Sequence, residues 1–250
     1  MRNNQIILMA VFLMVIQFNF AQTKDEIISN YIENTGGLEA WNKLEGLKMT
    51  AKASQGGMEI PVDIYTFRDG RQMTVISFQG KEIKQQVYDG KHLWSHNFMT
   101  MEAEESDAEA KSNFILSLND FPNPFIDYAS KGYTVELLGK ESFEGTETFK
   151  IKLIQEPISI DGKEEESVSY YFFDTENFVP IAMQAEVKAG PGKGMVAETT
   201  FSDYQEVEGL YFPFSMTQGV KGKPGDPVTM TSIELNPKVA SKEFALPKEK

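Results

Sequence analysis

The sequence contains no cysteine, only two histidines and fewer basic than acidic residues. Without a thiol, the chain has neither a cysteine nucleophile nor cysteine ligands for zinc or iron–sulfur clusters. The 24 Lys and Arg residues stand against 37 Asp and Glu residues, which gives a formal net charge of -13. Proteins that bind nucleic acid neutralise its phosphates with clustered Lys and Arg. The composition therefore argues against a nucleic-acid partner and, for the same reason, against an anionic bilayer surface.

The first 21 residues are predicted to be an export signal. Arg2 supplies a positive charge, residues 6–16 form an apolar run, and Asn19-Phe20-Ala21 places a small residue before a cut at Gln22. The apolar run is too short to span a bilayer core of about 30 Å, although a retained N-terminal anchor is the alternative. No cysteine is present to receive a lipid. We expect residues 22–250 to form one exported domain that is soluble after cleavage.

Helical signals are confined to the start of this region and to one later segment. Thr23 and Glu26 have capping-box spacing, the apolar residues of 27–32 recur on one helical face, and Gly36-Gly37 predicts a helix end. A second short helical turn is expected over residues 38–44. The later helix is expected over residues 102–118, and the prolines after Phe121 break it.

Most of the remaining chain alternates with a period of two, which predicts strands. Asp69-Gly70 and Asp89-Gly90 are typical hairpin turns within a meander. We expect ten or eleven mostly antiparallel strands. The period changes to two from residue 47, and strands are predicted at residues 58–68, 71–79, 82–88, 92–97, 134–139, 149–153, 167–174, 179–188, 195–204, 211–217 and 228–235.

No set of residues predicts catalysis. His92 and His96 would lie on one strand face about 13 Å apart, too far to share one metal ion. The sequence contains no nucleophile elbow and no metalloprotease motif. We therefore predict a protein that is not an enzyme and that uses no cofactor, while an enzyme acting on a lipid or glycan remains a weaker alternative.

Large apolar residues occur on both faces of some strands. Phe172, for example, alternates with Tyr171 and Phe173. A sheet with one face in water needs only one apolar face, so the second face is expected to meet helices, another sheet or a ligand. A sheet of about eleven strands is wider than a barrel that side chains alone fill. This width predicts an apolar cavity.

Four segments carry a resemblance to a known family. They are residues 31–41 (YIENTGGLEAW), 88–94 (YDGKHLW), 201–213 (FSDYQEVEGLYFP) and the ending 233–247 with IELNP and FALP. Together they resemble the LolA-like family of periplasmic outer-membrane lipoprotein-sorting proteins. The resemblance implies a mainly β (α+β) fold, in which an unclosed antiparallel β-barrel of about eleven strands carries an N-terminal helix and a helical lid.

The family resemblance also implies a function. It indicates a periplasmic carrier that binds the acyl chains of lipoproteins or lipids and moves them toward the outer membrane. Its expected partners are an acylated lipoprotein or lipid, an inner-membrane ABC transporter and an outer-membrane receptor, and the carrier itself is expected to be a monomer. The alternative on the same fold is an envelope interaction module without lipid cargo.

The candidate ligand-binding residues belong to the cavity or to the lid. The helix over residues 102–118 is expected either to cover the sheet statically or to act as a movable lid. Arg68 is a candidate because the family ties strand to lid through an arginine, and Arg71 is its neighbour across the turn. The full set is Arg68, Trp94, Phe114, Ile115, Leu118, Phe121, Phe125 and Phe172.

Overall fold

The computed structural model describes residues 22–247, so the expected export signal lies outside the described residues. The helices are α1 (Lys24–Asn34), α2 (Leu38–Asn42) and α3 (Ala108–Ser117), with short 3-10 turns at Leu118–Asp120, Gly190–Gly192 and Ser241–Glu243. The strands are β1 (Gly46–Gln55), β2 (Met58–Phe67), β3 (Gln72–Phe78), β4 (Lys81–Tyr88), β5 (Leu93–His96), β6 (Ala103–Glu105), β7 (Thr134–Phe143), β8 (Thr146–Ile160), β9 (Lys163–Asp174), β10 (Pro180–Glu186), β11 (Val196–Val207), β12 (Leu210–Val220) and β13 (Asp226–Leu235).

Helix α1 begins and ends as its sequence predicts. The Thr23 hydroxyl accepts a hydrogen bond from the Glu26 amide, and the Glu26 carboxylate accepts one from the Thr23 amide. The helix is followed by Gly36 at φ 122°, where a side chain would overlap the backbone oxygen of Gly209. Glycine is required there because only it tolerates both the positive φ and the close approach.

All strands described between residues 22 and 247 join one antiparallel sheet. Its order is β6-β5-β4-β3-β2-β1-β13-β12-β11-β10-β9-β8-β7, so β6 and β7 are the two edges and the sheet is unclosed. This confirms the mainly β, unclosed fold. The sheet has thirteen strands, however, rather than ten or eleven.

One extra strand lies inside the segment that was expected to be helical. Residues Ala103–Glu105 form β6 and pair with β5, and α3 begins only after Asp107. The Asp107 carboxylate accepts a hydrogen bond from the Ala110 amide at 2.7 Å and so caps the helix. The expected helix over residues 102–118 was therefore wrong at its N-terminal end, because an edge pairing overrode local helix propensity.

Helix α3 shows that the sheet curls. It contacts β4 through the rings of Phe114 and Tyr88, whose centroids lie 5.3 Å apart, and it contacts the β8–β9 hairpin through Asn113 and Ser159. In a flat sheet, β4 and β8 would be separated by about 40 Å, given strand spacings of about 4.8 Å. A helix of this size is only about 15 Å long, so the two halves of the sheet must face each other.

The larger core lies between the inner face of the sheet and the helices. Ile27 and Tyr31 of α1 and Trp41 of α2 pack with Phe149 of β8 and Phe173 of β9. A smaller core lies on the outer face and includes Phe67, Val87, Trp94 and, from the segment after β13, Phe244. Among residues 22–247, no helix is both long and apolar enough to cross a bilayer.

Candidate functional site

An apolar cavity of about 460 Å³ opens on the inner face of the sheet, away from the part that α1 covers. It lies over one end of β1–β4 and the facing ends of β12 and β13. The apolar residues that line it are Ala53, Met58, Ile60, Val62, Ile76, Phe78, Ile83, Phe98 and Val228, joined by Ser54, Gln218 and Asp226. Its volume lies within the roughly 300–1,000 Å³ typical of small-molecule sites.

Strand alternation and register explain why these side chains meet. Ala53 pairs with Ile60 of β2, and Val62 pairs with Ile76 of β3, which in turn pairs with Ile83 of β4. Residues two apart along a strand share a face, and directly paired residues lie side by side on that face. The inner face of β1–β4 is therefore a continuous strip of aliphatic side chains.

Helix α3 bridges the open side of the sheet, which is the gap between its two facing halves. At its start, the Glu109 carboxylate accepts hydrogen bonds from the Ser159 hydroxyl and from the amides of Asp161 and Gly162, at 2.8 to 3.0 Å. These bonds lower the pKa of the Glu109 carboxyl. At the other end, Leu118 lies beside Gly70 in the β2–β3 turn. No residue of α3 is fully buried, so the helix is held by polar bonds at its start and at Asn113 and by the half-buried Phe114 and Leu118.

Asp120, just after α3, anchors this end of the helix to the sheet. Its carboxylate accepts hydrogen bonds from the Tyr133 hydroxyl at 2.9 Å and from the Gln155 amide at 2.8 Å. Burial raises the pKa of the Asp120 carboxyl despite these bonds. Lys131 faces the same carboxylate, and burial lowers the pKa of its amine. The anchor is thus a partly buried polar cluster whose charge depends on pH.

Three of the predicted residues lie on or next to α3. The ring of Phe114 is half-buried against Tyr88, Leu118 is half-buried near Gly70, and Ile115 is 41% exposed. They surround the open side of the sheet but do not line the apolar cavity. Phe121 is half-buried, and its ring lies under the Arg68 guanidinium.

Phe125 is enclosed in the larger core. Only 3% of its surface is exposed, and its ring contacts those of Tyr31, Tyr171 and Phe173 at centroid distances between 4.9 and 6.2 Å. The segment after α3 therefore packs as part of the core that covers β8 and β9.

Trp94 and Phe172 are fully buried on the other face of the sheet. Trp94 lies in the smaller core, and its Nε1 donates a hydrogen bond to the Phe244 backbone oxygen at 2.9 Å. Phe172 alternates with Phe173 and contacts the ring of Phe143 and the amine of Lys150. The structure thus separates these two residues from the cavity and from α3.

Arg68 connects the end of β2 to the segment between α2 and β1. Its guanidinium donates hydrogen bonds to the backbone oxygens of Leu44 and Asn42 at 2.8 to 3.0 Å and forms a longer one with that of Trp41. Arg71 instead bonds Asp69 and stacks on the ring of Phe67.

The two histidines do not form a metal site in the described chain. His96 Nδ1 accepts a hydrogen bond from the Lys84 amide at 3.1 Å, whereas His92 Nδ1 lies 3.8 Å from a carboxylate oxygen of Glu105. Within residues 22–247, no group of three His, Asp or Glu side chains is arranged to hold a metal ion.

Sequence reasoning missed the residues that line the cavity. Ile60, Val62, Ile76 and Phe78 were assigned to strands, but only the register of β1–β4 brings them together. The alternation of Ile60, Val62 and Ile64 was the available signal. It identifies an apolar face, but it does not show whether helices cover that face.

A second depression, of about 620 Å³, lies near the end of α1 and is more polar. Asn34, Asp174, Glu176 and Asn177 line it together with Tyr204 and Tyr211, among others. An acyl chain there would displace water from amide and carboxylate side chains such as those of Asn34 and Glu176, which is costly. The apolar cavity is therefore the better candidate site for a hydrophobic ligand.

Comparison with family models and with curated proteins gives no match. Comparison with solved structures gives matches across nearly the whole chain. A LolA superfamily protein from Nitrosomonas europaea is 12% identical, with a TM-score of 0.53, and the match covers 90% of this chain and 98% of that one. A DUF1329 family protein from Desulfovibrio piger is also 12% identical, with a TM-score of 0.54 and the same coverage.

The third similar structure is an outer membrane lipoprotein-sorting protein domain from Vibrio parahaemolyticus. It is 11% identical with a TM-score of 0.53, and the match covers 88% of this chain and 94% of that one. At such low identity, the similarity concerns the fold. The resemblance noted in the sequence is thereby confirmed at that level: the chain has a LolA-like fold.

Proposed function

We propose that this protein is a periplasmic carrier that shelters the acyl chains of a lipoprotein or lipid and moves them toward the outer membrane. The observation that carries this proposal is the apolar cavity on the inner face of β1–β4, β12 and β13. Its aliphatic and aromatic lining matches the chemistry of an acyl chain. The LolA-like fold and the description of the Vibrio domain as lipoprotein-sorting support the same function.

The energy of acyl burial is sufficient for such a carrier. Each buried CH₂ contributes about 0.8 kcal/mol, so a chain of roughly sixteen carbons contributes on the order of 12 kcal/mol before the costs of opening and ordering the site. Met58 and Phe98 at the rim add adaptable contact surface. Binding requires no catalytic group and no cofactor.

In this proposal, α3 acts as the lid. Its side chains Phe114, Ile115 and Leu118 are at most half-buried, so they have apolar surface available to cover a chain that extends beyond the cavity. The bonds of Glu109 and Asp120 hold the two ends of the helix region. Opening the side of the sheet would require release of these bonds and of the two bonds between Asn113 and Ser159.

The expected partners follow from the same proposal. Residues 1–21 would direct export, residues 22–250 would form the single carrier domain and act as a monomer, an inner-membrane ABC transporter would load the cargo, and an outer-membrane receptor would accept it. The acidic composition, with a net charge of -13, disfavours nucleic acid as cargo.

Native mass spectrometry tests the proposal. The chain would be exported in its host, purified without detergent and measured before and after solvent extraction. Added mass that extracts as acylated lipid or lipopeptide is the expected result. A bare mass that persists after incubation with a synthetic diacylated lipopeptide would contradict it and favour an envelope interaction module.

A further inference from the structure

The turn between β5 and β6 displays two large apolar side chains to solvent. Phe98 is 62% exposed and Met99 is 93% exposed, the highest values for large hydrophobic side chains among residues 22–247. We call this pair the Phe98–Met99 tip. Neither side chain contributes to the two hydrophobic cores, so folding does not explain their identity.

The tip is held in place by its own turn. The Asn97 side-chain oxygen accepts hydrogen bonds from the amides of Met99 and Thr100, at 2.8 and 3.2 Å, while its side-chain nitrogen donates to Glu104 at 2.9 Å. The Met101 amide closes the turn onto the Asn97 backbone oxygen. A surface that is ordered before binding loses less conformational entropy on association. The turn therefore presents its apolar pair ready for contact.

Carboxylates lie beside the tip. Glu102 closes the turn through its backbone, Glu104 accepts a hydrogen bond from the Asn97 side chain, and Glu105 follows on β6. All three are exposed. On the neighbouring strand β4, the amine of Lys84 is paired with Glu243. Anionic lipid headgroups would be repelled by this charge, whereas a surface rich in Lys and Arg would be attracted.

The tip also borders the apolar cavity, because Phe98 lines it together with Met58. A molecule that covers Phe98 would therefore touch the cavity rim. Met99, by contrast, is not among the cavity-lining residues. Variants of the two residues can thus separate docking from ligand binding.

We propose that the Phe98–Met99 tip docks a protein partner that has an apolar pocket rimmed by Lys and Arg. The two side chains enter the pocket, and the neighbouring carboxylates pair with the basic rim. This docking is inferred only from the exposure and rigidity of the tip and from the charge beside it. A role of the docked partner in receiving cargo through the cavity rim rests, in addition, on the proposed function.

The experiment begins with photocrosslinking in the native host. Met99 is replaced by p-benzoylphenylalanine, and matched controls carry the same group at Leu138 or Met195, which are 50% and 42% exposed at other places on the surface. A protein that crosslinks only from position 99 is then purified, and its affinity for the intact chain is measured by titration at two salt concentrations.

Two sets of variants test the chemistry of docking. Met99→Ser is expected to weaken binding of that protein by about tenfold or more, as loss of an interface anchor does, while Met195→Ser leaves it unchanged. Glu102→Lys combined with Glu105→Lys is expected to slow association and reverse its salt dependence. The control is Glu164→Lys combined with Glu165→Lys, at exposed positions of the β8–β9 hairpin, because it changes the net charge by the same amount.

Several results would overturn the proposal: crosslinking at position 99 no stronger than at the controls, crosslinking only to lipid or to a second copy of this chain, or affinity that is unaffected by Met99→Ser. Flotation of the chain with phosphatidylcholine vesicles, lost in Met99→Ser, would identify a membrane contact instead. Extracted lipid is measured separately on the same Met99→Ser protein. Failure of docking with lipid still bound therefore differs from failure of the carrier function.

Discussion

The Arg68 guanidinium donates two hydrogen bonds to one backbone oxygen, that of Leu44, from Nε at 3.0 Å and from Nη2 at 2.8 Å. The same guanidinium lies 5.6 Å from the centroid of the Phe121 ring. One side chain thus joins the end of β2, the α2–β1 connection and the segment that follows α3. Only a planar, forked cation makes these contacts together.

This geometry predicts a stability effect for Arg68→Lys. The lysine keeps the charge but loses the fork, so we expect the free energy of unfolding to fall by about 1–2 kcal/mol, measured by urea denaturation. Lipid retained per folded molecule should be unchanged because Arg68 does not line the cavity. A double-mutant cycle with Phe121→Leu should give a coupling of about 0.5–1 kcal/mol. Loss of retention without loss of stability would instead make Arg68 a ligand contact.

Phe125 and Ile115 are expected to respond differently to truncation. Phe125→Ala removes a ring that packs against Tyr31, Tyr171 and Phe173, so it should lower the free energy of unfolding by about 3–5 kcal/mol. Ile115→Ala alters an exposed position on α3 and should cost less than about 0.5 kcal/mol. Urea denaturation of both variants measures the difference. Equal, small effects would show that the segment after α3 is not part of the core.

Much of the fold could be predicted because local signals agree with it. The Thr23 capping box, the glycines after α1 and the Asp69-Gly70 turn each determine their own element. Strand β6 could not be predicted in this way. Its three residues, Ala103–Glu105, are extended because they pair with β5, a contact that no local pattern contains.

The candidate site was less predictable than the fold. Aromatic residues drew attention in the sequence, yet Trp94, Phe125 and Phe172 are buried in cores. A large aromatic side chain fills a core as well as it lines a pocket, so residue type alone does not separate the two roles. The cavity is lined mostly by β1–β4 residues such as Val62 and Ile76, whose exposure depends on where α1 and α2 stop covering the sheet.

The partly buried carboxyl of Asp120 predicts a pH dependence of stability. Burial raises its pKa in the folded state above 3.8, the ordinary value for an aspartate, so the folded protein binds a proton more tightly than the unfolded chain. The contribution of this group to stability is therefore fully present below the unfolded pKa and is lost as pH rises through the folded pKa. Lys131 and Tyr133 face the same carboxyl, and both residues are present in the native protein and in the Asp120→Asn variant that tests this prediction.

Asp120→Asn removes this titration and keeps an oxygen that accepts from Tyr133 and Gln155. Relative to the native protein, the variant should gain stability as pH rises from about 3.5 to 7, a range that begins below the ordinary aspartate pKa of 3.8. Urea denaturation across this range measures the gain. A pH profile of Asp120→Asn parallel to that of the native protein would show that the carboxyl is solvated.

Filling the cavity tests its role in binding most directly. Ala53 lies on the inner face of β1 and lines the cavity, so Ala53→Phe places a ring in the space that we assign to the acyl chain. We expect the affinity for a fluorescent fatty-acid probe to fall by about tenfold or more, because a ring replaces about two buried CH₂ groups of ligand at about 0.8 kcal/mol each. Ser77→Phe adds the same ring at an exposed position of β3, next to the cavity residues Ile76 and Phe78 but not among the lining residues, and should leave the affinity unchanged. If both variants bind the probe as the native protein does, the acyl chain lies elsewhere, and the space beneath α3 is then the place to search, since the side chains of that helix are not fully buried.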